Sequence, residues 1–552
     1  MTSSVAIEKP LQFARVPVAV WLAGALCLIL TLQLVLVFQK SINWDEFFHF
    51  SLIHASQRGE PVQFLQVPFV YLFGWVVELP GPNITHIQII RALTMIFELA
   101  LLGAIYASAR KFVDHTNALL CTLAYITAGY VFLHASALRA DTISAAFCMG
   151  AIALGLHLKP RLGWLLAIAL LLVLAFVSSI KAALYAPGFL AVLYLQRSLL
   201  IQHSGHLVRP ALGAFTAVLL MLIAVLVLTP DVFESAKSTL LSASQYVFSG
   251  GLFPQFRYFT RQLSLAAVFT ILLVMFNVWL ATGRAEKSTK VALALFAAPL
   301  VSVLFYRNAY PYFFCFILPP VAVALAPTID WMRDKCSPLI LAGALCANAL
   351  ILFNAEPREV LPAQQAFLSD VQTVFAEPVR YIDESGMIGN YPRAVNHFAS
   401  GWALSNYRER GEAEYKDAVL SDNIPLLITN SWALINVFSE RQFGPNRLLE
   451  ADDAFLRANY LAHASMIYVA GKQVQPNETL KNELVATPGT YRVEGGPVSI
   501  NGSHHDEGET INLERVSYDF VNEGPALVTL RWANAKKASG ASYSLPRLYT
   551  DY

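Results

Sequence analysis

Between residues 17 and 38 the chain carries twenty-two consecutive residues without a charge. As a helix such a run reaches about 30 Å, the hydrocarbon thickness of a bilayer, and few soluble folds have a use for it. Further apolar runs follow at about 84–108, 116–134, 140–157, 163–179, 182–195, 211–229, 263–281, 291–305, 311–326 and 338–353. Together they predict a polytopic α-helical membrane protein with about eleven transmembrane helices. No small-residue cleavage site follows the first run, so it reads as an uncleaved anchor rather than a signal peptide.

Charge is distributed unevenly. Residues 1–355 hold 22 Lys/Arg and 13 Asp/Glu, whereas residues 356–552 hold 17 and 25 in little more than half the length. The expected organisation is a membrane domain over 1–355 and a soluble, extracytoplasmic tail. Within the tail, 356–490 mixes a helical stretch (451–464) with short buried strands (425–429, 465–470), an α/β pattern. Residues 491–552 look β-rich, with strands at 497–500, 510–513 and 526–532 between Gly, Asn and Pro turns. All six cysteines precede residue 356, so the tail folds without disulfides. No CxxC and no paired Cys/His spacing occurs, which speaks against a structural zinc site. No Lys/Arg stripe stands out, which excludes nucleic-acid binding as the main theme.

Loop charges give an orientation. With the N-terminus inside, thirteen Lys/Arg fall in inner segments and eight in longer outer ones, the expected bias. Eleven spans then put the tail outside, and the expected location is integral to a membrane. The apolar stretch 62–80 carries Gln63, Gln66, Pro68 and Glu78. It fits a helix lying in the outer interface, with Tyr71, Phe73 and Trp75 at headgroup level. The aromatic loop before about residue 263, with Phe233, Tyr246, Phe248, Phe253, Phe256, Tyr258 and Phe259, has the same character.

An ionisable group at the edge of hydrocarbon is costly and usually has a job. Such groups collect on the side expected to be outer. Asp45 and Glu46 follow the first span in Asn43-Trp44-Asp45-Glu46-Phe47-Phe48-His49. Arg139 and Asp141 stand at the outer start of the run at 140–157, Lys181 stands at the outer end of the sixth run, and Arg257 and Arg261 lie one helical turn apart before the eighth. Arg307 stands with Tyr306, Asn308 and Tyr310 between the ninth and tenth. Carboxylates able to take a proton from a hydroxyl, with cations able to hold a departing phosphate, suit group transfer from a phosphate-bearing lipid.

Each feature also has a plainer account. Asp45 and Glu46 suit a solvated helix start, Arg139 and Asp141 a structural ion pair, and Lys181 a snorkelling helix end. Arg257 and Arg261 suit nonspecific lipid headgroups. His49 and His54 are five apart and suit satisfied or solvated side chains more readily than metal ligands. Arg91 and Glu98, seven apart inside the second span, each need a partner from another helix.

The order of Trp44-Asp45-Glu46 after a first span, Leu138-Arg139-Ala140-Asp141-Thr142 opening the fourth, and Tyr306-Arg307-Asn308-Ala309-Tyr310-Pro311 before a late one resembles the GT-C glycosyltransferases. The nearest group holds the protein O-mannosyltransferases and the lipid A aminoarabinose transferases, and the resemblance covers roughly residues 15–330. It implies an inverting enzyme that takes a sugar from a polyprenyl-phosphate carrier and gives it to a lipid A, polysaccharide, other glycan or protein hydroxyl. It would also make the membrane a bacterial inner (plasma) membrane. By position it makes Asp45 the base, Glu46 its support and Asp141 the second acidic site. Arg139, Lys181, Arg257, Arg261, Arg307, Tyr310 and His49 become substrate-binding candidates. No Asp-x-Asp motif occurs in the outer loops, so no cofactor is expected; a divalent metal has no support in the sequence. Two other classes remain: a transporter or flippase of a lipid-linked sugar, with ionisable groups near the bilayer midplane, and a non-catalytic envelope-assembly subunit, indifferent to Asp45.

Overall fold

The computed structural model describes residues 17–62, 66–159, 161–202, 251–395, 401–440 and 446–550, with isolated positions between 204 and 220. The expected run at 211–229 lies mostly outside the described residues, as do Phe233, Tyr246 and Phe248.

The expectation of eleven membrane-crossing helices is not met. Among the described residues four helices are long and apolar enough to cross a membrane: Val18–Gln39, Asn83–Ala109, Lys287–Leu304 and Pro338–Val374. The number rises to six if each of two bent pairs makes one span. The reason is length. Ala140–Leu156 and Leu162–Ser178 are 17 residues each, about 25 Å of helix, and His115–Ile126 is 12 residues, about 18 Å. The run at 263–281 belongs to a pair, Phe256–Leu265 and Ala267–Thr282, bent by 96°. The run at 311–326 breaks by 50° between Phe313–Ala324 and Ala326–Arg333. With eleven spans gone, parity no longer places the tail.

The chain divides into two compact units that do not follow chain order. One holds the first helix up to Val37 and Ala92–Ala355; the other holds Phe38–Gln63, Val67–Arg91 and Glu356–Tyr552. The loop after the first helix thus belongs to the same unit as the tail.

In the first unit, the helix Phe313–Ala324 is buried along its whole length and contains Pro319 and Pro320. A proline lacks the N–H that would bond the carbonyl four residues back, so the carbonyls of Cys315 and Phe316 lose their helical partners. Two tyrosines replace them. The Tyr125 hydroxyl donates to the Cys315 carbonyl at 2.9 Å, and the Tyr185 hydroxyl donates to that of Phe316 at 2.5 Å. In a buried apolar setting such replacement is obligatory. Glu98 finds its partner in Gln33 of the first helix, whose amide donates to it at 3.0 Å and to the Phe132 carbonyl at 3.2 Å.

In the second unit, eleven strands among the described residues form two sheets. The strands are β1 (Tyr381–Ile382), β2 (Leu426–Ile428), β3 (Tyr460–Ala464), β4 (Ile467–Val474), β5 (Thr479–Leu484), β6 (Gly489–Glu494), β7 (Val498–Ile500), β8 (Ser503–His505), β9 (Thr510–Leu513), β10 (Ser517–Val521) and β11 (Val528–Trp532). The larger sheet runs β1-β2-β4-β11-β6-β9, with β3 also on β4; the smaller runs β5-β10-β7-β8. Only β1 and β2 pair in parallel; every other named pair is antiparallel. The tail is therefore β-rich, as expected, and its sheets join residues on both sides of position 490. The helix expected over 451–464 ends at Asn459, and the chain continues directly into β3.

Side-chain bonds fasten the loop after the first helix to the tail. Gln364 accepts from the Ile42 N–H at 2.9 Å and donates to the carbonyls of Ile42 and Leu548, both at 2.7 Å. The 62–80 stretch contains the short helix Pro68–Phe73 and a 3₁₀ turn, Gly74–Glu78. Tyr71 and Trp75 are exposed there, whereas Phe69 and Phe73 are buried.

Candidate active site

In the second unit, Asp45 and Glu46 open the helix Trp44–Gln57, and their surroundings set them apart. Asn43 caps the helix: its side chain accepts from the Asp45 N–H at 3.0 Å, while Glu46 accepts from the Asn43 N–H at 3.2 Å. This reciprocal cap satisfies donors that a helix start leaves open. Glu46 is also gripped through both oxygens by Arg91, whose Nε sits 2.7 Å away. Arg91 spends its remaining donors on the carbonyls of Lys40 and Ser41, at 2.9 and 2.8 Å. Both side chains are almost wholly buried. Glu46 is thus committed to the cap and to Arg91, the partner that Arg91 needed.

Asp45 is half-buried and stands by a second polar group in the same unit. That group is the turn after β1. Asp383 accepts from the N–H groups of Gly386 and Met387 at 2.9 and 2.8 Å, and Arg393 pairs with it at 3.3 Å. Gly386 has φ +72°, and a Cβ there would run into Ser51, so the turn needs glycine to lie this close to the Asp45 helix. Asn430 donates to Asp383 and to the Tyr549 hydroxyl, both at 3.2 Å. Tyr549 in turn packs on Trp44 and Phe47. Burial, with Asp383 and Asp45 nearby, pushes the Glu384 carboxyl well above the usual carboxylate range, against the pull of Arg393. The Arg393 guanidinium lies 5.6 Å from the Phe48 ring. His49 packs against Phe69 with ring centres 4.7 Å apart.

In the first unit, the other candidates gather around Asp141. Arg139 precedes the helix Ala140–Leu156 and Asp141 lies in its first turn, where a carboxylate meets the helix dipole favourably. Lys181 comes from the 3₁₀ turn Ile180–Tyr185. Its ammonium reaches one Asp141 oxygen at 2.5 Å and Arg139 Nε reaches the other at 3.2 Å. Asp141 is only 5% exposed. Two cations on one carboxylate leave the trio with a net positive charge in a partly dry place.

Tyr312 covers this trio: its ring centre is 3.2 Å from the Arg139 guanidinium carbon and 5.2 Å from Lys181 Nζ. From Tyr312 an aromatic ladder leads to Tyr310 at 6.0 Å and on to Tyr258 at 5.6 Å. Beside Tyr258 stands Arg257, 5.8 Å from its ring. Arg257 and Arg261 are both exposed on the helix Phe256–Leu265. That helix is pinned by Gln262, which accepts from the Tyr130 N–H at 2.8 Å and donates to the Ala128 carbonyl at 3.1 Å. Gly129, at φ +55°, leaves the room this clasp needs. Arg307 adjoins the same helix start, its carbonyl accepting from Gln255 at 3.1 Å.

The structure therefore brings Arg139, Asp141 and Lys181 into contact and links them through Tyr310 to Arg257. Asp45, Glu46 and His49 share one helix of the other unit. Sequence reading missed Tyr312, Gln262 and the Asp383–Arg393 turn. The available signals were Tyr312 two residues after Tyr310 and the Asp-Glu-Ser-Gly turn sequence. Among the described residues no group of three or more His, Cys, Asp or Glu is arranged to hold a metal ion.

No protein-family model matches the sequence, and no curated protein matches it. Solved structures do match its shape. One is the crystal structure of ArnT from Cupriavidus metallidurans in the apo state, 12% identical, with a TM-score of 0.51 over 74% of this chain and 92% of that one. Another is the archaeal oligosaccharyltransferase AglB from Archaeoglobus fulgidus in complex with an inhibitory peptide and a dolichol-phosphate. It is 12% identical, with a TM-score of 0.50 over 95% and 97% of the two chains. The apo form of the Archaeoglobus fulgidus oligosaccharyltransferase gives 11% identity and 0.51 over 94% and 98%. The chain has a GT-C fold. At these identities the likeness speaks for the fold and for nothing finer, so the chemistry rests on this chain's own residues.

Proposed function

We propose that the chain is an inverting membrane glycosyltransferase that moves a sugar from a polyprenyl-phosphate carrier to an acceptor hydroxyl on a lipid, glycan or protein. The proposed setting is the outer face of a bacterial inner membrane, with the N-terminus cytoplasmic and the tail periplasmic. The observation that carries this reading is the Arg139–Asp141–Lys181 trio, a net positive site held rigidly under Tyr312 on a chain with a GT-C fold. Asp141 has both oxygens engaged by cations, which suits positioning Arg139 and Lys181 for a phosphate rather than taking a proton. Arg257, Arg261 and Arg307 extend the cationic surface for the carrier's headgroup, with Tyr310 between. Their helix meets Ala267–Thr282 at 96°, a bend that suits an amphipathic helix lying along the membrane interface.

Asp45 is the base. Its neighbour Glu46 is committed to Arg91 and supports the helix that carries it. The acceptor oxygen bonds to the sugar's anomeric carbon as its proton passes to Asp45. The bond from that carbon to the carrier phosphate breaks, and the electron pair leaves on the phosphate oxygen. Attack opposite the leaving phosphate inverts the anomeric centre. Glycan and lipid analysis of cells with and without the protein tests the class. Loss of one sugar with build-up of its polyprenyl-phosphate form supports it, and an unchanged profile rejects it.

A further inference from the structure

A second polar site lies in the tail, lined by residues that the proposed reaction does not use. Strands β6 and β11 and the segment 533–542 enclose an open cavity of about 630 Å³, the size of pocket that takes small ligands. Arg492 and Arg531 stand directly opposite each other across these strands. Like charges so placed repel. Glu494 relieves only one of them, pairing with Arg531 at 2.9 Å, and Arg531 also donates to the Ala462 carbonyl at 2.8 Å. Arg492 and Lys537 line the same cavity and have no ion pair among the described residues. The lining thus carries a positive surplus.

The frame is rigid. The 533–542 segment is tied down by Ala533 N–H to the Thr490 carbonyl at 2.8 Å and by Lys536 N–H to that of Val374 at 3.0 Å. His463 donates to the Lys536 carbonyl at 2.8 Å. The Trp532 ring is wedged where a Cβ on Gly489 would lie and is nearly buried. It therefore offers no open face for stacking a base, and the rest of the wall is largely alanine, glycine and serine backbone.

We infer that this cavity binds an anionic saccharide, with Arg492 and Lys537 holding its carboxylate or phosphate and Glu494 and the backbone taking its hydroxyls. A guanidinium matches either anion through two parallel hydrogen bonds. That this saccharide belongs to the acceptor of the sugar transfer rests on the function proposed above; the binding itself does not.

The test is isothermal titration of the full-length protein in detergent with trigalacturonate, glucose 6-phosphate, neutral maltotriose and inorganic phosphate. At least one anionic saccharide is expected to bind tenfold or more tightly than both maltotriose and phosphate. The variant Arg492→Ala/Lys537→Ala is expected to lose that tenfold while its unfolding temperature stays put, since both side chains are exposed. Equal affinity for phosphate would overturn saccharide recognition, and equal affinity for maltotriose would overturn the role of charge. Unchanged affinity in the double variant, or no binding by any saccharide, would overturn the site. The titration needs no catalysis, so an absence of sugar transfer leaves its result intact.

Discussion

Lys40, just past the first helix, pairs with Glu356, just past the helix Pro338–Ala355, at 2.7 Å. The two side chains are only 12% and 7% exposed, so the pair is a built contact rather than a surface accident. Lys40 and Glu356 belong to one compact unit, and the segments that carry them are expected on one side of the membrane. Reporters inserted after Arg58 and after Val360 should therefore give the same signal, extracytoplasmic in the orientation proposed. Opposite signals would break the unit apart and reject this topology.

Glu46 and Arg91 form a buried pair that one-sided removal should expose. Arg91→Met leaves a buried carboxylate unpaired, a change that typically costs about 3–5 kcal/mol. Thermal unfolding of the solubilised variant should show a large drop, and Glu46→Leu/Arg91→Met should recover part of it. Unfolding temperatures unchanged in the single variant would show that the pair is not structural.

The carrier phosphate should depend on the trio in the first unit. Lys181→Ala and Arg139→Ala are each expected to weaken binding of a polyprenyl phosphate about tenfold or more, the loss of a hydrogen bond to a charged group. Arg257→Ala and Arg261→Ala should weaken it less, being exposed, and Arg284→Ala, distant in the chain, should leave it unchanged. Equal affinity in all five variants would remove these cations from the donor site.

What the sequence made legible follows from what each signal measures. The run at 84–108 is long enough to fill a helix, and Asn83–Ala109 is one. Hydropathy is blind to geometry within a run, so it registers neither the positive φ of Gly129, nor the donor that Pro319 removes, nor the 96° bend after Leu265, and short helices look like spans. Charges at run ends stand out because they are costly there, and Arg139, Asp141 and Lys181 are such charges. Tyr312 and Gln262 carry no charge, so charge placement does not set them apart. The closeness of Gly386 to Ser51 and of Lys40 to Glu356 spans over three hundred residues, beyond any local pattern.

Acid should loosen the unit that holds Asp45. Burial, with the nearby charges of Arg58 and His86, lowers the His54 pKa to about 4. The unfolded chain then takes up a proton near the ordinary 6.5 while the folded one resists. The stability is full above pH 6.5 and is lost as pH falls from there toward 4. His54→Gln should flatten the fall in unfolding temperature across that window. A wild-type slope in the variant would assign the acid sensitivity elsewhere.

The central claim is that Asp45 takes the proton from the acceptor. Asp45→Asn keeps the shape of the side chain and removes the base. General-base contributions are typically about 10²–10⁴-fold. The decisive measurement is turnover of purified, correctly inserted Asp45→Asn with a polyprenyl-phosphate sugar donor, alongside its affinity for the carrier. The account predicts turnover lower by about 10²-fold or more, with carrier affinity unchanged because the cations that hold the phosphate are intact. Turnover near that of the wild type would contradict it.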